Sequence, residues 1–138
     1  MFVDADTVAA ALSHFLEQAG VFAFAILVYC FMPDHLHLLV EGTAEDSNLR
    51  RFVARAKQRA AFDFSTRHRH RLWQEGYHDR VLRDDEPTVD VIRYTIANPV
   101  RGGLVDDPRD YPYWGSGVWT REALLDFIGI ETRPTWRP

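Results

Sequence analysis

The sequence predicts a single α+β domain with a mostly antiparallel sheet. The chain has 138 residues, which is the size of one ordinary domain. Segments with helical periodicity and segments rich in β-branched and aromatic residues follow in the order helix, strand, strand, helix, strand, helix, helix. The first two strands are separated by only a short turn, which favours an antiparallel hairpin.

The first half of the chain supplies a helix, a hairpin and a second helix. Apolar residues recur at helical spacing over Thr7–Ala19, and Gly20 is expected to end this helix. The continuous apolar run Phe22–Phe31 predicts a buried strand, and His35–Glu41 alternates with the period of two that is typical of a partner strand. Ser47 is the expected N-cap of a helix that continues to about residue 64.

The second half carries weaker signals. The segment Leu72–Arg83 is expected to be extended and to enter a strand. Thr88–Ala97 is predicted to be a helix that Pro99 stops. Residues 101–117 are rich in Gly, Pro and Asp and are expected to form a loop, after which Thr120 caps a short final helix.

Composition excludes several classes of protein. Apolar residues make up 46% of the chain and charged residues 26%, which is typical of a globular domain and not of a disordered one. The longest apolar run, Val21–Met32, is shorter than the roughly 20 residues that span a membrane. The single cysteine, Cys30, excludes a disulfide framework and fits a reducing compartment. We therefore expect a cytoplasmic, nucleoid-associated protein with no membrane partner.

Basic residues are concentrated in one stretch of the chain. The formal net charge is −4, yet residues 50–71 contain eight basic residues and one acid. This stretch is either a surface that binds a polyanion such as DNA or a solvated helix face, and both interpretations stay open. We call its basic residues the basic segment: Arg50, Arg51, Arg55, Lys57, Arg59, Arg67, Arg69 and Arg71.

Two histidines separated by one residue are the most informative local feature. Residues i and i+2 of a strand point to the same face, so the imidazoles of His35 and His37 are expected to project side by side. Neutral imidazole is a common ligand of divalent metals. Similar pairs also occur on protein surfaces and in cores, so the pair alone is ambiguous.

A tyrosine and an asparagine form a second candidate group. Tyr94 and Asn98 are four residues apart in a predicted helix and therefore share a face. The amide oxygen of Asn98 could bind a metal, with the phenol of Tyr94 close to it. The alternative is a half-buried core tyrosine followed by a residue at the helix C-terminus.

Three blocks together resemble the single-tyrosine HUH transposases of the IS200-like superfamily, and among them the REP-associated tyrosine transposases most closely. Residues 29–40, YCFMPDHLHLLV, resemble the block in which two histidines flank a hydrophobic residue. Residues 94–105, YTIANPVRGGLV, resemble the block that holds the catalytic tyrosine. Residues 72–83, LWQEGYHDRVLR, resemble the strand between them. No single block is specific, but their combination and order are.

The resemblance implies a ferredoxin-like antiparallel sheet with helices on one face. It implies that His35, His37 and Asn98 bind Mg²⁺ or Mn²⁺ and that Tyr94 is the nucleophile. The implied activity is that of a DNA nickase-ligase, which cleaves and transfers single-stranded DNA carrying a hairpin through a covalent 5′-phosphotyrosine. The basic segment would then contact the DNA. Monomer and homodimer both stay open, and in a dimer the tyrosine helix can serve the partner's histidines.

Other residues are secondary candidates for contact with DNA or for proton transfer. Trp73, Tyr77 or Trp114 could stack on bases, although aromatic residues of this kind more often lie in the core. His78 and Asp79 are candidates for a general base.

The sequence departs from the family at its beginning. Family members usually have a strand before the first helix, whereas this chain opens almost directly at the residues Phe2-Val3-Asp4. We therefore expect a sheet without that first strand. This departure keeps an alternative function open, a catalytically inactive or domesticated DNA-binding module of the same fold. An unrelated metal-binding fold would leave the Tyr94 block unexplained.

Overall fold

Four helices and three strands make up the part of the chain that the computed structural model describes, which is residues 4–68 and 88–129. In chain order they are α1 (Ala5–Phe22), β1 (Phe24–Phe31), β2 (Leu36–Gly42), α2 (Leu49–His68), α3 (Thr88–Arg101), β3 (Trp114–Gly115) and α4 (Arg121–Phe127). A short 3₁₀ turn, Pro108–Asp110, precedes β3. Among the described residues, no helix combines the length and hydropathy that a bilayer-spanning segment requires.

The strands form one antiparallel sheet in the order β2-β1-β3. The predicted hairpin is present: Phe31 pairs with Leu36, Cys30 with His37, and Phe24 with Gly42. A register shift between residues 26 and 28 marks a bulge in β1. Helices pack on this small sheet, so the predicted α+β class is confirmed.

Helices cover both faces of the sheet, where the resemblance implied one. Ile26 and Phe31 of β1 belong to a core with α1 and α2. Val28 and Cys30 of the same strand, together with Leu39 of β2, belong to a core with α3 and α4. The physical reason is the composition of β1, because a strand that is apolar on both faces has to be covered on both.

Two helices differ in their bounds from the prediction. Gly20 does not end α1, which continues to Phe22 and ends at Ala23 in the left-handed region with φ 60°. The cap of α2 is Asn48, whose Oδ1 accepts from the backbone N–H of Arg51 at 3.1 Å. The hydroxyl of Ser47, the predicted cap, instead donates to the carbonyl of Ala23 at 2.6 Å and so ties the start of α2 to the end of α1.

Helix α3 continues through the proline that was expected to stop it. Pro99 is buried inside α3, which ends at Arg101. The backbone N–H of Leu104 donates to the carbonyl of Pro99 at 2.9 Å, and that of Gly103 donates to Val100 at 3.0 Å. This pair of bonds is a Schellman motif, and Gly103 with φ +75° occupies its left-handed position. The helix therefore gains one more turn before the glycine ends it.

Residues 101–117, expected to be a loop, contribute to the core. Trp114 in β3 is only 1% exposed, and its indole N–H donates to the carbonyl of Pro108 at 2.7 Å. Trp114 is therefore a core residue, and the suggestion that it stacks on DNA bases is wrong. The predicted cap Thr120 is confirmed, since its hydroxyl accepts from the N–H of Ala123 at 3.1 Å.

Several predictions fall outside the described residues. They concern the strand at Leu72–Arg83 with the candidates Trp73, Tyr77, His78 and Asp79, and the missing first strand at residues 1–3. These stay predictions.

Candidate metal and nucleophile site

His35 and His37, the histidine pair, lie side by side at the start of β2. The Nε2 atoms of the two imidazoles are 2.8 Å apart, and the ring centroids are 4.6 Å apart. The turn before β2 is closed by the backbone N–H of Met32, which donates to the carbonyl of His35 at 2.8 Å. Leu39, two residues after His37, packs in the core with α3 and α4. The histidine pair therefore lies on the sheet face that α3 covers.

Hydrogen bonding and burial distinguish the two imidazoles of this pair. The Nδ1 of His35 lies 2.6 Å from Asp34 Oδ1, and this hydrogen bond holds the pKa of the Asp34 carboxyl below its usual value. A carboxylate there favours the His35 tautomer whose Nε2 carries a free lone pair. Burial, followed by the charges of His35 and Arg101, lowers the pKa of His37 to about 4. His37 is therefore a neutral imidazole at neutral pH, which is the form that binds metals.

The histidine pair fits a divalent cation. Two ligands at right angles, each about 2.1 Å from an octahedral cation, lie about 3 Å apart. The observed separation of 2.8 Å between the two Nε2 atoms is close to that value. No group of three His, Cys, Asp or Glu side chains suitable for a metal occurs within residues 4–68 and 88–129. A third protein ligand in this part of the chain would therefore be an amide or another oxygen donor.

Asn98 on α3 is already partly engaged. Its Oδ1 accepts a hydrogen bond from Arg101 at 2.5 Å. Its Nδ2 is buried and has no hydrogen-bond partner in the part of the chain that is described. An amide oxygen has two lone pairs, so one stays available for a metal. Asn98 thus fits the predicted ligand role only if the cation and Arg101 share this oxygen.

Tyr94 stands on the exposed side of α3. Its side chain is 56% exposed, while Ile92 and Ile96 on the same helix are fully buried against the sheet. Arg101 lies over the tyrosine ring, with its guanidinium carbon 3.7 Å from the ring centroid. The same guanidinium donates to the Tyr94 carbonyl at 2.8 Å. The phenol is therefore accessible to a substrate on a helix that packs over the face bearing the histidine pair.

Arg101 connects the predicted site residues, although the sequence did not single it out. It contacts Tyr94 and Asn98, and its charge contributes to the lowered pKa of His37. Its positions seven residues after Tyr94 and three after Asn98 are those of one helix face. That signal is visible in the sequence only if the helix is extended through Pro99.

The described part of the basic segment, which lies on α2, is on the other side of the sheet. Helix α2 packs against the face opposite to the histidine pair. Arg50, Arg51, Arg55 and Arg59 are exposed along α2, and Lys57 is half-buried. The side chain of Arg67 and the residues Arg69 and Arg71 lie outside the described part of the chain.

An open groove of about 480 Å³ runs between α1 and α2 beside this segment. Arg55, Arg59 and Phe62 line it. His14 and Asp63, which also line it, join the two helices through a contact of 3.1 Å. The groove thus offers two cationic side chains and an exposed aromatic ring on the face away from the histidine pair.

Comparison with known proteins decides the family. The family model described as "Transposase IS200 like" matches residues 2–98, which is most of the chain. The chain belongs to the IS200-like transposase family. The histidine pair, Tyr94 and Asn98 all lie within the matched residues. The resemblance on which the prediction rested is therefore confirmed.

The chain is similar to one curated member of the family, a Haemophilus influenzae protein that is named as a REP-associated tyrosine transposase. The two are 28% identical over 112 residues, covering 73% of this chain and 64% of the relative. The chain thus spans less than two thirds of the length of that relative. No solved structure matches the chain.

Proposed function

We propose that this protein cleaves and rejoins single-stranded DNA in a metal-dependent reaction of DNA transposition. The nucleophile is Tyr94, and the intermediate is a covalent 5′-phosphotyrosine. Membership of the IS200-like transposase family supports the general activity. The observation that carries the proposal is the approach of the two Nε2 atoms to 2.8 Å on the sheet face that is covered by the helix bearing Tyr94.

The proposed ligands are His35, His37 and Asn98, with Mg²⁺ or Mn²⁺ as the cation. His35, His37 and Asn98 would hold the cation, which when bound would polarise a non-bridging phosphate oxygen and offset the negative charge of the phosphodiester. Imidazole nitrogen suits Mn²⁺ at least as well as the more oxygen-selective Mg²⁺. The neutral state of His37 and the contact between Asp34 and His35 prepare both rings for this role.

Tyr94 performs the covalent step. Its phenolic oxygen attacks the phosphorus, the bond between phosphorus and the 3′-oxygen breaks, and the 3′-oxygen leaves as a hydroxyl after taking up a proton. The proton of the phenol passes to solvent or to a base. In the reverse direction a 3′-hydroxyl attacks the phosphotyrosine and Tyr94 leaves. Because the tyrosine ester retains the phosphoester link, rejoining needs no separate energy source.

The proposed substrate is a single strand that carries a hairpin. Arg55 and Arg59 line the groove on the face opposite to the histidine pair. Cationic side chains of this kind attract phosphates without regard to sequence, and an exposed ring such as Phe62 can stack on an unpaired base. The basic segment would then hold DNA at a distance from the cleavage site.

Covalent capture tests the proposal. The protein is incubated with end-labelled single-stranded hairpin DNA and Mn²⁺ or Mg²⁺, and the products are separated on a denaturing gel. We expect a slow protein–DNA band that depends on the metal and is absent in Tyr94→Phe and in His37→Ala. Tyr113→Phe is the matched control, because Tyr113 is a half-buried tyrosine that belongs to the core and not to α3.

Two results of this assay would argue against the proposal. A band that persists in Tyr94→Phe would exclude Tyr94 as the nucleophile. If the wild-type protein forms no covalent band but binds the hairpin DNA on a native gel, the catalytically inactive DNA-binding module would be favoured.

A further inference from the structure

We propose that Arg101 is a positioning residue for the nucleophile. The inference rests on the proposed function, because it assumes that Tyr94 attacks the phosphorus. The guanidinium of Arg101 lies over the Tyr94 ring, with its central carbon 3.7 Å from the ring centroid. Without this contact, an exposed tyrosine on a helix surface would have several side-chain rotamers open to it.

The guanidinium is itself held in place by two acceptors on the same helix. It donates to the Tyr94 carbonyl at 2.8 Å and to Asn98 Oδ1 at 2.5 Å. The planar fork of arginine can make such bonds and stack on a ring at the same time, which an ammonium group cannot. Arg101 also lies in the last turn of α3, where a positive charge is favourable.

The position of Arg101 depends on the extra turn of α3. If the helix ended before Pro99, the side chain at residue 101 would leave the face that carries Tyr94 and Asn98. The Schellman motif at Gly103 holds this turn closed. The buried proline and the glycine together therefore place the guanidinium over the phenol.

Arg101 would serve the reaction by fixing one geometry of the attacking group. A ring held in one rotamer keeps the phenolic oxygen in place for in-line attack, and loss of such positioning costs up to about a hundredfold in rate. The same contact ties the nucleophile to Asn98, a proposed metal ligand. Movement of the tyrosine and occupation of the metal site are thereby coupled through one side chain.

The kinetic test compares three variants in a single-turnover capture assay at saturating hairpin DNA. We expect Arg101→Gln to lower the capture rate by about 10- to 100-fold while the Kd for DNA changes less than about threefold. Arg101→Lys retains the charge and is expected to restore less than about a third of the lost rate. The matched control is Arg93→Gln, which removes the same charge from α3 at a residue that contacts Asp90 and Ile128 instead.

Full activity of Arg101→Gln would overturn the inference. Full rescue by Arg101→Lys would also overturn it, because charge alone would then explain the effect. An equal loss of rate in Arg93→Gln would also overturn it, because the effect would then follow from the lost positive charge on α3 and not from the contact with Tyr94.

A spectroscopic measurement keeps the test independent of cleavage. The side-chain protons of Arg101 should show an upfield ring-current shift in the NMR spectrum of the wild-type protein. We expect the shift to persist in Tyr94→Phe and to disappear in Tyr94→Leu. Its absence in the wild type would contradict the positioning of Tyr94 by Arg101, whereas the absence of covalent product alone would contradict only the proposed function.

Discussion

Replacing Arg121 with alanine is predicted to destabilise the fold without removing any of the proposed site residues. Arg121 begins α4 and donates to three backbone carbonyls at ordinary distances: Tyr111 at 2.8 Å, Arg109 at 3.1 Å and Trp114 at 3.2 Å. Its guanidinium carbon also lies 3.9 Å from the ring centroid of Trp114. Burial lowers the pKa of Arg121, so the charge is partly withdrawn from water. One side chain thus connects α4, the 3₁₀ turn and β3.

The size of the effect follows from these contacts. A hydrogen bond from a charged donor contributes about 1.5–3 kcal/mol when it is buried, and less where water competes. If each of the three bonds contributes about 0.5–1 kcal/mol because Arg121 is half-exposed, and the contact with Trp114 adds about 0.5–1 kcal/mol, the loss is about 2–4 kcal/mol.

Equilibrium unfolding in urea, followed by tryptophan fluorescence, measures this loss. Arg121→Ala should lower the free energy of unfolding by about 2–4 kcal/mol, and Arg121→Lys by an intermediate amount. Arg50→Ala, which removes a charge from an exposed position of α2, should change it by less than about 0.5 kcal/mol. A change below about 0.5 kcal/mol for Arg121→Ala would refute the reasoning, because the carbonyls would then be equally well satisfied by water.

The remaining predictions concern the ends of α3, the core cysteine and the basic face. Gly103→Ala should lower the free energy of unfolding by about 1 kcal/mol, because φ is +75° there, and a neutral result in urea unfolding would contradict the Schellman end of α3. Cys30 should resist iodoacetamide at pH 8.5 in the folded protein and react in urea, because burial raises the pKa of its thiol to about 12. The stability that the folded protein gains from keeping this thiol protonated is constant below the unfolded pKa of about 8.5, and the free energy of unfolding falls as the pH rises above that value. The double variant Arg55→Ala, Arg59→Ala should weaken binding of single-stranded DNA. The steepness of log K against log salt should fall by about 1.4, because two phosphate contacts are lost. An unchanged slope in a salt titration would exclude this groove as the DNA surface.

Local periodicity predicted the elements whose packing is determined by nearby residues. The apolar run of β1 and the alternation of β2 predicted the hairpin and placed His37 on the same face as Leu39. The N-cap of α4 followed from Thr120 alone. In each case the signal lies within a few residues of the structure it determines.

Long-range packing decided the features that the sequence did not predict. Gly20 lies inside α1, whose packing against α2 outweighs the low helix propensity of glycine. Pro99 lies inside α3, because the bonds after it and its burial against the core compensate for the missing donor. The role of Trp114 depends on Arg121 and Pro108, and no local pattern identifies these contacts.

The candidate site shows the same division. The spacing of His35 and His37 indicated their juxtaposition, whereas their separation and the lowered pKa of His37 depend on the burial that α3 and the sheet provide. The sequence did not identify Arg101 as a site residue, because its contact with Tyr94 requires the last turn of α3, which Pro99 was expected to prevent.

Mapping the residue that carries the DNA tests the central claim most directly. After capture and nuclease digestion, trypsin cleaves after Arg93 and Arg101 and releases the peptide YTIANPVR, residues 94–101. We expect mass spectrometry to find this peptide with a phosphate-linked nucleotide on its tyrosine, only after incubation with Mn²⁺ or Mg²⁺. A nucleotide on any other peptide would contradict the assignment of Tyr94 as the nucleophile. A purified covalent protein–DNA complex that yields only unmodified YTIANPVR would contradict it as well.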